Sequence, residues 1–140
     1  MLEESGPVKA RLRQALGFLV ETDLADPDRR GCMAVNTAAE LAATDQVATE
    51  LVQRMFARTE DAFRALIEEG QRSGEIAPER DPAALGSLLL NTVVGLRLMA
   101  RIAESPDLLV QVIDATVDSL SPGSFSPGSF SPGSFSPGSL

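Results

Sequence analysis

Residues 81–103 constrain the fold of this chain more than any other segment. They carry no charged side chain between Pro82 and Leu96. Asp81 can accept hydrogen bonds from free backbone N–H groups, and Pro82 suits the first helical position, so a helix begins here. A helix that is apolar on nearly every side must be buried on more than one side. In a chain of 140 residues, this predicts contact with a partner subunit.

Plotted at about 100° per residue, the segment shows two apolar stripes. The first stripe is built mostly of large residues, whereas the first half of the second stripe is unusually small. The first comprises Leu85, Leu88, Leu89, Thr92, Leu96, Met99 and Ala103, and the second comprises Ala84, Ser87, Asn91, Gly95, Leu98 and Ile102.

The rest of the chain also reads as helical. Hydrophobic residues make up 44% of it, enough for a core, but with six Phe and no Tyr or Trp the bulk comes from Leu, Val, Ile, Met and Ala. No strand-like alternation runs for long. We therefore predict an all-α bundle of about five helices in one domain, residues 1–120. The helices are expected at about 5–22, 28–43, 44–73, 81–103 and 105–120.

The charged and reactive residues exclude several functions. A net charge of −8, from 20 acidic and 12 basic residues, argues against nucleic-acid binding by this chain itself, because phosphate contacts need clustered Lys and Arg. There is no histidine, and Cys32 is the one cysteine, so no Cys–His or Ser–His pair and no intramolecular disulfide can form. We predict no enzyme activity, no catalytic residue, no metal site and no cofactor.

The sequence favours a cytoplasmic protein. Residues 1–6 are polar and acidic, unlike a signal peptide. The uncharged run from Pro82 to Leu96 is shorter than the ~20 residues that cross a bilayer, and Arg97 follows it directly. We expect no membrane span.

Residues 121–140 differ abruptly from the rest, with SPGSF three times and then SPGSL. The recurring Pro-Gly pairs prevent helix and sheet, and such repeats are low-complexity sequence. We expect a disordered tail. A Phe-spaced interaction motif and a stutter in the coding sequence are both compatible with it.

The order of the helical segments resembles the regulatory domain of TetR/AcrR-type transcriptional regulators. The resemblance covers about residues 6–120. It rests on DPDRRGCMAVNTAAELA, a long charged helix ending near SGEI, DPAALGSLLLNTVVGLRLMAR and a short final helix ending DSL. Its most specific parts are Arg30-Gly31-Cys32, Asn36, Glu40 and Gly95-Leu96. Asn36 and Glu40 either bond to backbone and solvent, the commoner role, or hold a ligand or order the pocket wall.

The resemblance implies an all-α effector-binding domain that forms a homodimer. In this family the last two long helices of each subunit pack into an intersubunit four-helix bundle, which corresponds here to residues 81–103 and 105–120. The candidate dimer interface is therefore the second stripe with the apolar face of the fifth helix: Ala84, Ser87, Asn91, Gly95, Leu98, Ile102, Leu109, Val112, Ile113, Thr116 and Val117.

In the same family, the preceding helices enclose a mostly apolar cavity, which implies a small apolar effector. Met and Phe at helical spacing are as typical of ordinary core as of a pocket, and Met adapts to varied ligands. The candidate pocket residues are Met33, Thr37, Met55, Phe56, Thr59, Phe63, Leu89, Thr92 and Met99.

Members of this family begin with a DNA-binding unit that contains a helix-turn-helix. No basic recognition helix appears in this sequence, so we expect DNA contact only through a helix-turn-helix domain that this chain lacks. The favoured interpretation is the effector-binding and dimerisation domain of a TetR-like repressor. The alternatives are a headless module that heterodimerises with full-length regulators and a helical scaffold without a ligand.

Overall fold

The computed structural model describes residues 5–124, whose regular secondary structure is entirely helical. Within this range the predicted all-α bundle is confirmed. Residues 121–124 form a turn after the last helix, and the rest of the predicted tail, 125–140, lies outside the described residues. The helices are α1 (Val8–Ala25), α2 (Met33–Leu41), α3 (Gln46–Ser73), α4 (Pro82–Ala100) and α5 (Asp107–Asp118).

The ends of α3 and α4 follow from local sequence. Asp45 Oδ1 accepts the backbone N–H of Ala48 at 3.0 Å, and Asp81 Oδ1 accepts that of Ala83 at 3.0 Å. Each carboxylate satisfies an N–H group that has no partner inside its helix. α3 ends at Gly74, whose φ of +81° is a left-handed conformation that glycine adopts without a steric penalty.

α2 is shorter than the sequence predicted, beginning at Met33 rather than near Asp28. Arg29 and Gly31 have φ angles of +48° and +68°, which no α-helix accommodates. The Asp26 carboxylate accepts the backbone N–H of Asp28 at 3.1 Å and so favours a turn over a helix.

Four of the five helices, α1, α3, α4 and α5, share one hydrophobic core, while α2 packs mainly on α3. The core is built from aliphatic side chains and Phe63, as the scarcity of aromatic residues predicts. Its largest fully buried side chains include Leu12, Leu16, Ile67, Ile76, Leu89 and Leu120.

The backbones of α3 and α4 approach closely at Gly86. A Cβ atom at this position would lie 3.1 Å from the carbonyl oxygen of Glu60 and 3.3 Å from the backbone nitrogen of Arg64. Beside it, the Ser87 hydroxyl donates to the Glu60 carboxylate. This contact fixes how α4 is rotated about its own axis.

The rotation of α4 divides it into a buried and an exposed side, both apolar. Among residues 5–124, α4 is the helix whose length and composition would allow it to cross a membrane, although core helices of soluble proteins often share that property. Its buried side comprises Leu85, Leu89, Val93, Leu96 and Ala100.

Candidate functional site

An apolar cavity of about 250 Å³ lies among α1, α2, α3 and α4. Leu19 lines it from α1, Ala34 and Val35 line it from α2, and Cys32 lines it from the residue before α2. Apolar linings with a few polar groups are typical of small-molecule sites. The remaining lining residues are Met55, Phe56 and Thr59 from α3, and Leu90, Val93, Val94 and Arg97 from α4.

The cavity brings together three of the predicted pocket residues, Met55, Phe56 and Thr59. All three lie on the third and fourth turns of α3. Phe63, one turn further on, instead packs in the core and lines a separate groove of about 430 Å³ between α1 and α3. Phe18 of α1 is 55% exposed at this groove.

The other predicted pocket residues do not line the cavity, and their assignment is corrected. Met33 is 82% exposed, and Thr37 is half-buried on α2 outside the cavity lining. Leu89 is fully buried in the core. The Thr92 hydroxyl donates to the Leu88 carbonyl on its own helix, while Met99 is about half exposed on the far side of α4.

For the predicted residues on α4, the reason for this difference is the rotation of that helix. The cavity is lined by Leu90, Val93 and Val94, whereas the prediction chose Leu89, one residue earlier and about 100° away around the helix. Because α4 is apolar on both sides, its sequence alone does not distinguish these rotations.

An ion pair closes one wall of the cavity. Arg97 of α4 donates from Nε to Asp23 Oδ2 at 2.9 Å and from a terminal nitrogen to Asp23 Oδ1 at 2.8 Å. Asp23 is 4% exposed. The hydrogen bond to Asp23 raises the pKa of Arg97 above its ordinary value, although burial acts in the opposite direction and lowers it. The bidentate geometry therefore ties α1 to α4 through two charge-assisted hydrogen bonds.

Sequence reasoning did not identify this pair. The available signal was Arg97 itself, the first charge after the uncharged run of α4. A charge at the end of such a segment needs a partner when it is part-buried. The partner, Asp23, lies 74 residues earlier, and no local pattern points to it.

The loop before α2 is tied to the carboxyl end of α4. Arg29 donates to the carbonyl oxygens of Ala100 and Ala103 at 2.7 and 3.0 Å. In return, Arg101 donates to the Arg29 carbonyl and to Asn36 Oδ1, both at 3.1 Å. Asn36 also donates from Nδ2 to the Arg30 carbonyl at 2.6 Å, which is the backbone bonding considered for it.

The exposed side of α4 continues onto α5 as an apolar surface, which we call the α4–α5 face. Ile102 and Leu108 are 74% and 73% exposed, and a depression lined by Met99, Ile102 and Leu108 connects the two helices. At Gly95, an added Cβ would meet no atom within 4 Å. The face comprises Ala84, Leu88, Asn91, Gly95, Leu98, Met99, Ile102, Leu108, Val112 and Ala115.

Three of the predicted interface residues are buried within the chain itself, and their assignment is corrected. Leu109, Ile113 and Val117 are at most 5% exposed and belong to the core of the chain itself. The apolar face of α5 is wide enough to pack on two sides, and these three residues are on the side that packs inside the chain. Ser87 bonds to Glu60 of α3, and the Thr116 hydroxyl bonds to the Val112 carbonyl, but both residues are half-buried and their place in the interface stays a prediction.

The described residues, 5–124, bring together no group of three or more Cys, His, Asp or Glu side chains that could hold a metal ion. Their carboxylates are spread over helix surfaces, where several pair with arginines. One example is Arg64, which bonds to Glu68 at 3.0 Å.

Comparison with known proteins links this fold to gene regulation. A family model described as tetracyclin repressor-like, C-terminal domain, matches residues 8–116. The fold is similar to the crystal structure of a TetR transcriptional regulator from Chloroflexus aurantiacus J-10-FL, with 25% identity and a TM-score of 0.72. The alignment covers 84% of this chain and 60% of that one, so this chain spans about three fifths of its length. No curated protein matches the chain.

Proposed function

This chain belongs to the TetR family of transcriptional regulators, as a C-terminal domain over residues 8–116, and we propose that it binds a small effector and dimerises. One observation carries the proposal: α4 lines an apolar cavity with one side and presents an unpaired apolar surface with another. A domain that senses a ligand and holds two subunits together needs both features.

The α4–α5 face supports the dimerisation part of the proposal. Leu98, Met99 and Ile102 are between 49% and 74% exposed, and they continue into Leu108 on α5. Contiguous exposed apolar surface of this kind marks interaction sites in soluble proteins. The residues that form the face are uncharged, and Glu104 is the charged residue that lines the depression between its α4 and α5 parts.

A two-fold axis through this face would pack α4 and α5 against the same helices of a second copy. Gly95 and Ala84 leave room for helices to approach closely, while Leu98 and Ile102 supply apolar area. Such an interface is self-complementary, as a two-fold dimer requires. The corrected interface omits Leu109, Ile113 and Val117, which the fold itself buries.

The cavity supports the effector-binding part. Its volume, about 250 Å³, is close to the lower end of the range for small-molecule pockets. Met55 and Phe56 offer adaptable and aromatic contacts, and the Thr59 hydroxyl offers a polar one.

The proposal assigns regulation and dimerisation to these residues, not DNA reading. The matched family model is that of a C-terminal domain, and the chain has an acidic excess that phosphate contacts disfavour. We also propose a cytoplasmic location, in keeping with a regulator of transcription.

Sedimentation equilibrium of the full chain at several concentrations tests the dimerisation part. We expect a single species with the mass of two chains at micromolar concentration. A monomer at every concentration tested would contradict the proposal. The effector part is tested by the ligand experiment that follows.

A further inference from the structure

The charge on the cavity wall is already neutralised. Among the cavity-lining residues, Arg97 is the charged one. Both oxygens of the Asp23 carboxylate accept its hydrogen bonds, at 2.8 and 2.9 Å. The pair is largely shielded from solvent, with side-chain exposures of 21% for Arg97 and 4% for Asp23.

An anionic ligand would have to displace Asp23 from Arg97, or use the N–H donors of Arg97 that Asp23 does not occupy and lie beside the Asp23 carboxylate. Displacement would leave a buried carboxylate without its partner, and the second arrangement would place two carboxylates on one guanidinium, so both are unfavourable. A cationic ligand would meet the like charge of the Arg97 guanidinium. It would have no contact with the Asp23 carboxylate, because Asp23 is not among the residues that line the cavity. Both charge types are therefore disfavoured, and the ion pair acts as a filter.

The remaining polar groups on the wall are neutral. The Thr59 hydroxyl donates to the Met55 carbonyl at 3.1 Å and keeps its acceptor capacity for a ligand. Cys32 adds a weakly polar thiol. An apolar cavity of about 150 Å³ admits benzene, so the larger cavity here has room for a substituted ring or two fused rings.

Resting on the proposed function, we propose that the effector is an uncharged, mostly apolar compound of one or two rings, and that the Asp23–Arg97 pair excludes its carboxylate analogues. The ligand is recognised by apolar contact with Phe56, Leu90 and Val94, and by one hydrogen bond to the Thr59 hydroxyl. Asp23 holds Arg97 in place and neutralises its charge, so Arg97 forms part of the cavity wall and does not bind an anion.

The test compares two probes of nearly equal size, naphthalene-1-carboxamide and naphthalene-1-carboxylate, binding to the full chain at pH 7. The chain contains no Trp or Tyr, so the naphthalene fluorescence can be followed directly. We expect the amide to bind at least about tenfold more tightly than the carboxylate, because only the carboxylate must displace Asp23 from Arg97 or share Arg97 with a second carboxylate.

Three variants identify the cause. Asp23→Asn removes the competing charge, so carboxylate affinity should rise and the preference for the amide should shrink or reverse. Adding Arg97→Gln to Asp23→Asn removes the cation, so that gain should disappear. Val94→Trp fills the cavity and should abolish binding of both probes. Circular dichroism confirms that each variant is folded.

The outcomes separate this inference from the proposed function. If the wild-type chain binds the carboxylate as tightly as the amide, and Val94→Trp abolishes both, the cavity is a ligand site but the neutrality filter is overturned. If neither probe binds, or if binding survives Val94→Trp, both the filter and the effector part of the proposed function are overturned.

Discussion

At the scale of single residues, Asp23 is the most deeply buried charged side chain in residues 5–124, at 4% exposure. It is acceptable there because Arg97 satisfies both of its oxygens. The pair joins the last turns of α1 to those of α4, beside the cavity. A buried ion pair of this kind adds little stability compared with apolar side chains of similar volume at the same positions. Removing one partner alone, however, lowers the stability strongly, because the other charge stays buried without a partner.

Asp23→Ala should therefore lower the free energy of unfolding by roughly 3 kcal/mol, because it leaves Arg97 part-buried without its acceptors. Urea denaturation measures the change. Asp61→Ala, at an exposed site on α3, is the control and should change the stability by less than about 0.5 kcal/mol. Equal effects of the two variants would show that the ion pair does not tie α1 to α4.

Glu75 is a second residue whose charge has a specific structural task. Its carboxylate accepts the backbone N–H groups of Val8 and Lys9 at 2.9 and 3.2 Å, at the otherwise uncapped start of α1. Burial raises the pKa of Glu75, but these hydrogen bonds, with those of Ser73 and the charge of Lys9, lower it by more, so the net shift is downward. The ionised carboxylate also interacts favourably with the helix dipole.

Glu75→Gln should lower the free energy of unfolding by roughly 1 kcal/mol at pH 7. Because the pKa of Glu75 is lowered in the folded state, its contribution is complete above the unfolded carboxyl pKa of about 4.3. The contribution is lost as the pH falls through the lower folded value. Denaturation of both proteins from pH 7 to pH 3 should show the difference shrinking. A difference that stays constant with pH would rule out the charged cap.

At the scale of helices, the close approach of α3 and α4 at Gly86 positions the site. It turns Leu90, Val93 and Val94 toward the cavity and leaves Gly95 on the exposed side. The nearest atoms at Gly86 are two backbone atoms of α3 and the Cβ of Arg64, and none of them can move aside as the far end of a flexible side chain can.

Gly86→Ala should therefore lower the free energy of unfolding by about 1–2 kcal/mol, because overpacking against backbone outweighs the better helix propensity of alanine. Gly17→Ala is the matched control, since a Cβ at Gly17 of α1 meets no atom within 4 Å. It should raise the stability by up to about 1 kcal/mol. Chemical denaturation at one protein concentration compares them. A gain at Gly86 equal to that at Gly17 would contradict the close approach.

The same contact explains how far the sequence could predict this molecule. Asp81, Gly74 and the uncharged run of α4 are local signals, and they correctly predicted where α4 begins, where α3 ends and that both are helices. The side of α4 that faces the cavity depends on long-range partners: Glu60 against Gly86 and Asp23 against Arg97. These pairs leave no local pattern, so Leu89 and Leu90 could not be told apart as lining residues.

At the scale of the whole molecule, α4 lies between the cavity and the proposed partner surface. A ligand that shifts α4 would act on the contact between subunits, and dimerisation would act in return on ligand affinity, because such coupling is reciprocal. This arrangement makes α4 the element on which both halves of the proposed function depend. The claim that the α4–α5 face joins two copies is therefore the central one.

Sedimentation velocity of Gly95→Arg tests it most directly, with Gly17→Arg as the matched control. Both glycines lie within helices and have open space where a Cβ would be, so neither arginine should disturb the folded subunit. We predict that Gly95→Arg sediments as a monomer, because two charged side chains would meet across the axis, while Gly17→Arg and the wild type sediment as dimers. If Gly95→Arg remains a dimer of wild-type affinity, the subunits do not join through this face.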